Sequence, residues 1–213
     1  MVFGFISNFR YENGIEPQFL EKFRKTGMLE WSNFKTEDCI AGDHEGMAFE
    51  LCEIDLRTED SDGETSTFRG LILHIKLTSR FAGLLVAQQK TDAIDRFFRR
   101  LFGTKLSTVP CGVVKVDAAY EFRTDNAAAI PAGLCVESAK VLEWLEQRWH
   151  DGKVQIVFHD EDCYVLFASG IENFRLPYTE FGSFVFERDV LPLINKMSVV
   201  LRTAHLIQGI GAE

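Results

Sequence analysis

The sequence predicts an α+β fold in which helices pack on an antiparallel sheet. Runs of alternating apolar and polar residues recur in both halves of the chain, and this period of two is typical of strands with one buried face. Two stretches carry apolar side chains at every third or fourth position, which is typical of helices packed on a core. Short polar turns separate consecutive strands, which favours antiparallel neighbours.

The first half, residues 1–104, is predicted to form a helix followed by a β-meander. Pro17 suits the first turn of a helix whose apolar face holds Phe19, Leu20 and Phe23 and which Gly27 closes. The predicted strands are Met47–Arg57, with Cys52, Ile54 and Leu56 on one face, then Phe68–Leu77 and Phe81–Gln88, with turns at His44-Glu45-Gly46 and Thr78-Ser79-Arg80.

Two charged stretches in this half have simple structural interpretations. Thr58–Thr67 carries four carboxylates, but they match only the opening of a calcium-binding EF-hand loop, so we expect a solvated hairpin loop. Asp92–Phe102 is predicted to be a helix in which Arg96, Arg99 and Arg100 form a solvated face and not a phosphate-binding patch.

The second half, residues 105–213, is predicted to contain a strand, a helix, a β-hairpin and a final helix. The connector Lys105–Gly112 is the candidate boundary, and one continuous domain is the alternative. The predicted elements are a strand at Val113–Arg123, a helix at Glu137–Trp149 with Val141, Leu142, Leu145 and Trp149 on one stripe, and a left-handed cap at Gly152.

The hairpin and the last helix follow this cap. The hairpin strands are Val154–His159 and Cys163–Ser169, with a turn at Asp160-Glu161-Asp162 between them. The second strand is apolar on both faces, so we expect it inside the sheet and not at its edge. The final helix runs from about Arg188 to Ile207, with Val190, Ile194, Met197, Leu201 and Ala204 on one stripe.

Charge and cysteine content limit the partners and the compartment. A net charge of −9 makes nucleic acid and strongly anionic lipid poor partners. The five cysteines are odd in number and widely spaced, which disfavours a zinc site and a disulfide framework and favours buried thiols in a reducing compartment. We find no signal peptide and no stretch approaching the length of a transmembrane helix, so we expect a cytoplasmic protein.

Three stretches resemble a bacterial family of uncharacterised proteins, domain of unknown function 3137. The resemblance covers most of the chain from about Gly14 onward, and it implies the fold but neither an activity nor catalytic residues. Members of this family often carry transmembrane helices ahead of the soluble domain, which implies a setting peripheral to the inner membrane. The stretches are DCIAGDHEGMAFELCEIDL (Asp38–Leu56) with FRGLILHIKL (Phe68–Leu77), YEFRTDNAAAIPAGL (Tyr120–Leu134), and VQIVFHDEDCYVLFA (Val154–Ala168).

Known catalytic and cofactor motifs are missing from the sequence. There is no nucleophile elbow, phosphate-binding loop, dinucleotide fingerprint or H-E-x-x-H zinc motif. Two histidines lie beside carboxylates, in Asp43-His44-Glu45 and in His159-Asp160-Glu161-Asp162, but both groups fall in predicted turns. His205 is explained by its place near the C-terminus of a helix, where positive charge is favourable. We therefore expect neither a metal ion nor a cofactor.

Two functions of different classes remain. The first is a non-catalytic protein-binding or scaffold module, which binds a protein partner or a second copy of itself. Its candidate contact surface is an irregular aromatic stretch that contains Phe174, Tyr178, Phe181, Phe184 and Phe186. The alternative is a hydrolase or small-ligand-binding enzyme of unrecognised type, which requires a pocket where Glu53, His74 or Asp117 converge with perturbed pKa values.

Overall fold

Within the part of the chain that the structure describes, seven strands and four α-helices form the α+β fold that the sequence predicts. The computed structural model describes residues 4–60, 63–90, 106–170, 173–174 and 185–210, and the predicted Arg-rich helix Asp92–Phe102 therefore lies outside the described residues. The strands are β1 (Ser7–Asn13), β2 (Asn33–His44), β3 (Met47–Asp60), β4 (Gly63–Gln89), β5 (Ser107–Val109), β6 (Tyr120–Thr124) and β7 (Val154–Ala168). The helices are α1 (Leu20–Lys25), α2 (Val114–Ala119), α3 (Leu134–Glu146) and α4 (Leu191–Gln208), and α4 follows a π-helical turn at Phe186–Val190.

All described strand pairs are antiparallel and belong to one sheet. Strands β1, β2, β3 and β4 are neighbours in chain order, which confirms the N-terminal meander. Strand β4 is central: β7 pairs along almost its whole length, while β3 and then β6 pair with it on the other side. The predicted acidic loop Thr58–Thr67 is largely strand, because Thr58 pairs with Thr65 and Asp60 with Gly63.

A single bent strand replaces each of two predicted strand pairs. β4 runs through Thr78-Ser79-Arg80 and β7 runs through Asp160-Glu161-Asp162, where turns were predicted. The two polar triplets lie opposite each other, and the register of the ladder shifts there. A β-bulge needs the same break in alternation and the same turn-prone residues as a reversal of the chain, so the sequence pattern fits both.

The bend in β7 brings its two ends together. The backbone N–H of Ala168 donates a hydrogen bond to the carbonyl of Lys153 at 2.8 Å. Among the described strands β7 pairs with β4 alone, so the prediction that Cys163–Ser169 lies inside the sheet is wrong. Its residues are apolar on both faces because both faces are covered, Tyr164 and Leu166 facing one core and Val165 and Phe167 the other.

Two cores lie on the two faces of the sheet. On one face α1 buries Phe19, Leu20 and Phe23 against the sheet, as predicted. Cys52, Ile54 and Leu56 of β3 share that core, so their predicted common face is confirmed. The other face is covered by α3 and α4 and includes Leu51, Leu71, Leu73, Ile156, Phe158, Val165 and Phe167.

Helix α3 begins three residues before its predicted start and keeps its predicted face. Val141, Leu142, Leu145 and Trp149 are all buried, although Trp149 lies just beyond the helix. Gly152 does not adopt the left-handed conformation expected of a cap. A Cβ atom added there would overlap the carbonyl oxygen of Ala168, so close backbone approach explains this glycine.

Helix α4 packs on the sheet with its predicted stripe. Met197, Leu201 and Ala204 are buried, Ile194 is half-buried, and Val190 is buried in the preceding turn. The segment Phe186–Gln208 is nevertheless long and apolar enough to cross a membrane by length and composition, contrary to the expectation that no segment is. Core helices share this property, and here the stripe contacts the sheet.

The predicted strand Val113–Arg123 is wrong in its first half, which forms α2. Gly112 has a φ of +83°, which turns the chain before the helix. The carboxylate of Asp117 then accepts hydrogen bonds from the backbone N–H groups of Cys111 (2.7 Å) and Gly112 (3.1 Å). These local bonds favour a helical turn over an extended strand, and Val114 remains 85% exposed in spite of its apolar position in the pattern.

Two of the five cysteines form a disulfide, so the expectation of free thiols throughout is wrong. The register that pairs His44 with Met47 also places Cys39 of β2 directly opposite Cys52 of β3, with Cα atoms 4.1 Å apart. Cys111, Cys135 and Cys163 are free. The pairing depends on the register of a hairpin, which the spacing of cysteines along the chain does not reveal.

Candidate functional site

A buried hydrogen-bonded pair of side chains lies between the sheet and α1. His74 of β4 and Asp162 of β7 are each less than a tenth exposed, and His74 Nε2 lies 2.8 Å from Asp162 Oδ1. Lys22 of α1 donates to the other carboxylate oxygen of Asp162 at 3.2 Å. The rings of Phe19 and Tyr164 flank the imidazole, with centroids 5.3 and 5.2 Å away. The pair therefore links α1 to the two longest strands.

The electrostatics of this pair favour a charged carboxylate. Burial alone raises the pKa of Asp162, but the hydrogen bonds from His74 and Lys22 and the charge of Lys22 outweigh it, and the pKa is lowered. The second nitrogen of His74, Nδ1, faces Glu50 Oε1 at 3.8 Å. Both imidazole nitrogens thus face carboxylates, which leaves neither of them to activate a nucleophile.

Glu53 lies on the opposite face of the sheet from His74. The ladder between β3 and β4 pairs Glu50 with His74 and Glu53 with Leu71 without a bulge between them, so Glu50 and Glu53 alternate in direction. Glu53 is 4% exposed, and its Oε1 accepts hydrogen bonds from the backbone N–H (2.7 Å) and the side-chain amide (3.2 Å) of Asn173. Burial outweighs these bonds and raises the pKa of Glu53.

The residues required for an enzymatic pocket do not converge. His74 and Glu53 project from opposite faces, and Asp117 binds the backbone of Cys111 and Gly112 beside α2. The backbone N–H of Cys111 is the largest cause of the lowered pKa of Asp117. Each of the three carboxylate or imidazole groups is therefore explained by a structural contact of its own.

The cysteines are poor nucleophiles. Cys52, which a Cys–His pair with His74 would require, is held in the disulfide with Cys39. Burial raises the pKa of Cys135 to about 11 and that of Cys163 well above its ordinary value. A nucleophilic cysteine needs a thiolate, so both side chains remain unreactive thiols at neutral pH.

The first histidine–carboxylate group predicted from the sequence has a partner that the sequence did not indicate. His44, Glu45 and Gly46 form the expected turn between β2 and β3, and His205 of α4 lies beside them. His44 Nδ1 and His205 Nε2 are 2.9 Å apart, and His205 Nε2 lies 3.3 Å from Glu45 Oε2. Among the described residues this is a group of side chains with the types and spacing of metal ligands. The sequence does not indicate it because His205 lies 161 residues after His44.

The second group is divided by the bulge in β7. Asp162 turns inward to His74, whereas Asp160 contacts Arg80 at 3.3 Å and Glu161 contacts Lys76 at 3.9 Å. The side chains therefore serve separate ion pairs. A surface groove of about 350 Å³ beside Asp162 is lined by charged residues, namely Lys22, Lys25, Arg80, His159, Asp160, Glu161 and Asp162.

Two of the five aromatic residues of the predicted contact surface are described. Phe174 is half-buried and packs against the core under α3 and α4, while Phe186 is 51% exposed at the start of the π-helical turn. Tyr178, Phe181 and Phe184 lie outside the described residues. Val185 and Leu191, which flank this turn, are also exposed.

The π-helical turn itself is held by a buried carboxylate. Asp189 is 2% exposed, and its Oδ2 accepts a hydrogen bond from the backbone N–H of Val185 at 2.8 Å. Arg188 donates to Oδ1 of the same carboxylate at 2.6 Å and, with Val185, holds the pKa of Asp189 low. A fixed backbone therefore presents the exposed side chains of Val185, Phe186 and Leu191, which we call the Phe186 surface.

Comparison with known proteins shows a likeness of fold only. No protein-family model and no curated protein matches the sequence. The fold is similar to that of mycobacterial trehalose monomycolate transport factor A, TtfA, in its crystal structure, with a TM-score of 0.50. The likeness covers 94% of this chain and 87% of that chain at 7% sequence identity. The resemblance to domain of unknown function 3137 stays a prediction.

Proposed function

We propose that this chain is a non-catalytic module that binds a partner protein through the Phe186 surface. The observation that carries the proposal is the exposure of three large apolar side chains within seven residues, on a turn that a buried carboxylate holds in place. Exposed apolar side chains that cluster on a fixed backbone are typical of protein contact sites. Short π-helical segments also occur frequently at functional positions.

The chemistry of the interior favours binding over catalysis. The buried carboxylates and the buried imidazole are used in structural contacts, and the two buried free thiols have raised pKa values. The alternative, a hydrolase or small-ligand-binding enzyme, would have to use the charged groove beside Asp162. A carboxylate whose pKa is lowered is a poor general base, so we prefer the binding module.

We also propose that the protein is located beside the cytoplasmic face of the inner membrane. The neighbour of similar fold is named as a transport factor, which is compatible with an accessory role in a larger assembly. The net charge of −9 favours a protein partner over nucleic acid or an anionic lipid surface. The disulfide is more typical of an oxidising compartment, so its redox state in the cell tests this setting.

The test is quantitative capture of partners from a lysate of the source cells. The bait proteins are the wild type, a Phe186→Ser/Leu191→Ser variant and a Val114→Ser control, since Val114 is an apolar side chain that is more exposed than Phe186. We expect a partner to bind the wild type and the control and to be lost from the double variant. Equal capture by all three would refute the assignment of the surface, and turnover of small esters or amides by the wild type would refute the non-catalytic function.

A further inference from the structure

We propose that His44, Glu45 and His205 bind a divalent first-row transition-metal ion of the Zn²⁺ type, with water in the remaining positions. The proposal is independent of the Phe186 surface. Its three side chains take no part in the contact between His74 and Asp162 or in the hydrogen bonds of Glu53. Two imidazoles and one carboxylate are a common set of ligands for such ions.

The separations of the three ligand atoms suit one small ion. His44 Nδ1 and His205 Nε2 are 2.9 Å apart, and His205 Nε2 and Glu45 Oε2 are 3.3 Å apart, with all three atoms within 4.8 Å of one another. Nitrogens that bind zinc at the usual bond length are about 3.3 Å apart in a tetrahedral site and about 3.0 Å apart at right angles. The two shorter separations are therefore within a few tenths of an ångström of those in a metal site, and the two rings need to turn so that both nitrogens face the ion.

Metal binding requires each of the two imidazoles to present an unprotonated nitrogen to the ion. Without metal, one of the two facing nitrogens carries a proton and donates a hydrogen bond to the other. On binding, the ring that carried this proton takes the tautomer with the proton on its other nitrogen.

The backbone of the turn brings Glu45 into the site under strain. Glu45 has a φ of +50° and Gly46 a φ of +83°, which are the angles of a tight two-residue hairpin turn. Asparagine, aspartate or glycine is preferred at the first of these positions, and glutamate is unusual there. The side chain of glutamate is longer than that of aspartate and reaches His205 from this strained position, which is a physical reason for a glutamate here.

The site is open to solvent at one side and joins distant parts of the chain. The side chain of Glu45 is 72% exposed, which gives an ion a path of entry, whereas that of His205 is only 19% exposed. His44 and Glu45 lie in the turn between β2 and β3, and His205 lies in the last turns of α4. A bound ion would therefore fasten the end of α4 to the meander.

The experiment is calorimetric titration of Zn²⁺ into the full chain after treatment with a chelator. We expect one ion per chain, and we expect His205→Gln to weaken the affinity by more than about 100-fold, since loss of a mere outer contact costs 10–100-fold. His150→Gln is the matched control, because His150 is exposed and lies outside the group. Zn²⁺ at a hundredfold excess over its Kd should raise the Tm of the wild type and the control by about 5–10 °C.

Two further measurements keep the result unambiguous. Absorption spectra with Co²⁺ distinguish nitrogen and oxygen ligands from the free thiols, which would add an intense thiolate charge-transfer band. Glu45→Gln provides a second variant on the exposed turn in case His205→Gln fails to fold, and it should weaken Zn²⁺ binding as well. Equal affinities for the wild type, His205→Gln and Glu45→Gln, or no Zn²⁺ binding by the wild type, would overturn the proposal.

Discussion

The two most buried acidic side chains of this sheet are stabilised in opposite ways. Asp162 accepts hydrogen bonds from His74 and Lys22, and these bonds and the charge of Lys22 lower its pKa in spite of burial. Glu53 accepts hydrogen bonds from neutral groups of Asn173 and Phe174, and burial raises its pKa. The ionised form is therefore favoured by the fold at Asp162 and opposed by it at Glu53.

The raised pKa of Glu53 predicts that removal of its charge increases the free energy of unfolding, by an amount that depends on pH. The Glu53 carboxyl of the unfolded chain loses its proton near pH 4.5, whereas that of the folded chain keeps its proton to a higher pH. The contribution of the protonated Glu53 side chain to stability is therefore complete below pH 4.5 and is lost as the pH rises through the folded pKa. Glu53→Gln should be more stable than the wild type at pH 7.5 by an amount on the order of 1 kcal/mol, with the difference disappearing towards pH 4. Urea denaturation at several pH values measures it.

A matched control for this prediction is Glu12→Gln, because Glu12 is an exposed strand glutamate. Its free energy of unfolding should follow that of the wild type at every pH. A Glu53→Gln variant whose stability relative to the wild type does not change with pH would show that the Glu53 carboxylate has the same pKa in the folded and unfolded chains.

The disulfide predicts a stability that depends on reducing agents. It closes a loop with a sequence separation of 13 residues, and a loop of that size contributes about 2–3 kcal/mol. We expect the Cys39→Ala/Cys52→Ala double variant to lose about this much unfolding free energy and to be insensitive to dithiothreitol. The wild type should fall towards the variant when reduced, while Cys135→Ala, which removes a free thiol, should respond to the reagent as the wild type does. No response of the wild type to reduction would contradict the pairing.

At the scale of elements, the ladder between β4 and β7 determines the shape of the sheet. Each strand continues through a polar triplet that resembles a turn, and the shift in register bends both strands together. The bend returns the end of β7 to its beginning, where Ala168 bonds to Lys153. Room for this return depends on Gly152, which lies two residues before the first residue of β7.

Substitution of that glycine should destabilise the protein strongly. A Cβ atom at Gly152 would overlap the carbonyl oxygen of Ala168, which is backbone and cannot move away without distortion of β7. We expect Gly152→Ala to lower the free energy of unfolding by about 3 kcal/mol, measured by chemical denaturation. Gly170→Ala is the control, because nothing lies within 4 Å of a Cβ atom there, and it should change stability by less than about 0.5 kcal/mol. Similar losses for the two variants would argue against the closed bend.

At the scale of the whole molecule, the two halves of the chain share one sheet. β3 from residues 1–104 and β7 from residues 105–213 flank the same central strand. The two cores are therefore separated only by the thickness of that sheet, with Trp31 in the core under α1 and Trp149 in the core under α3 and α4. Strands that hydrogen-bond to a common neighbour are expected to unfold together.

This arrangement predicts a single unfolding transition. The urea midpoints from far-ultraviolet circular dichroism and from tryptophan fluorescence should coincide, and the fluorescence midpoints of Trp31→Phe and Trp149→Phe should each agree with the circular dichroism of the same variant. Two separate transitions would instead favour the division into lobes at Lys105–Gly112. Measurements at two protein concentrations exclude an effect of association.

Local patterns in the sequence were enough to predict the strands and helices that bury one face. Alternation in Met47–Arg57 and a helical stripe in Val141, Leu142 and Leu145 depend only on neighbours along the chain, so the strand, the helix and the side that each buries were predicted correctly. The α+β class and the meander follow from the order of such elements. Where a local bond competes with the pattern, as at Asp117, the prediction of a strand was wrong.

The tertiary structure decided everything that depends on register between distant segments. The polar triplet of β4 lies opposite that of β7 where the register of their ladder shifts, and Cys39 meets Cys52 through the register of their hairpin. The meeting of His44 with His205, across 161 residues, has the same origin. Such contacts leave no periodic signal in the sequence, because their geometry is set by how two elements pack and not by the order of residues within either one.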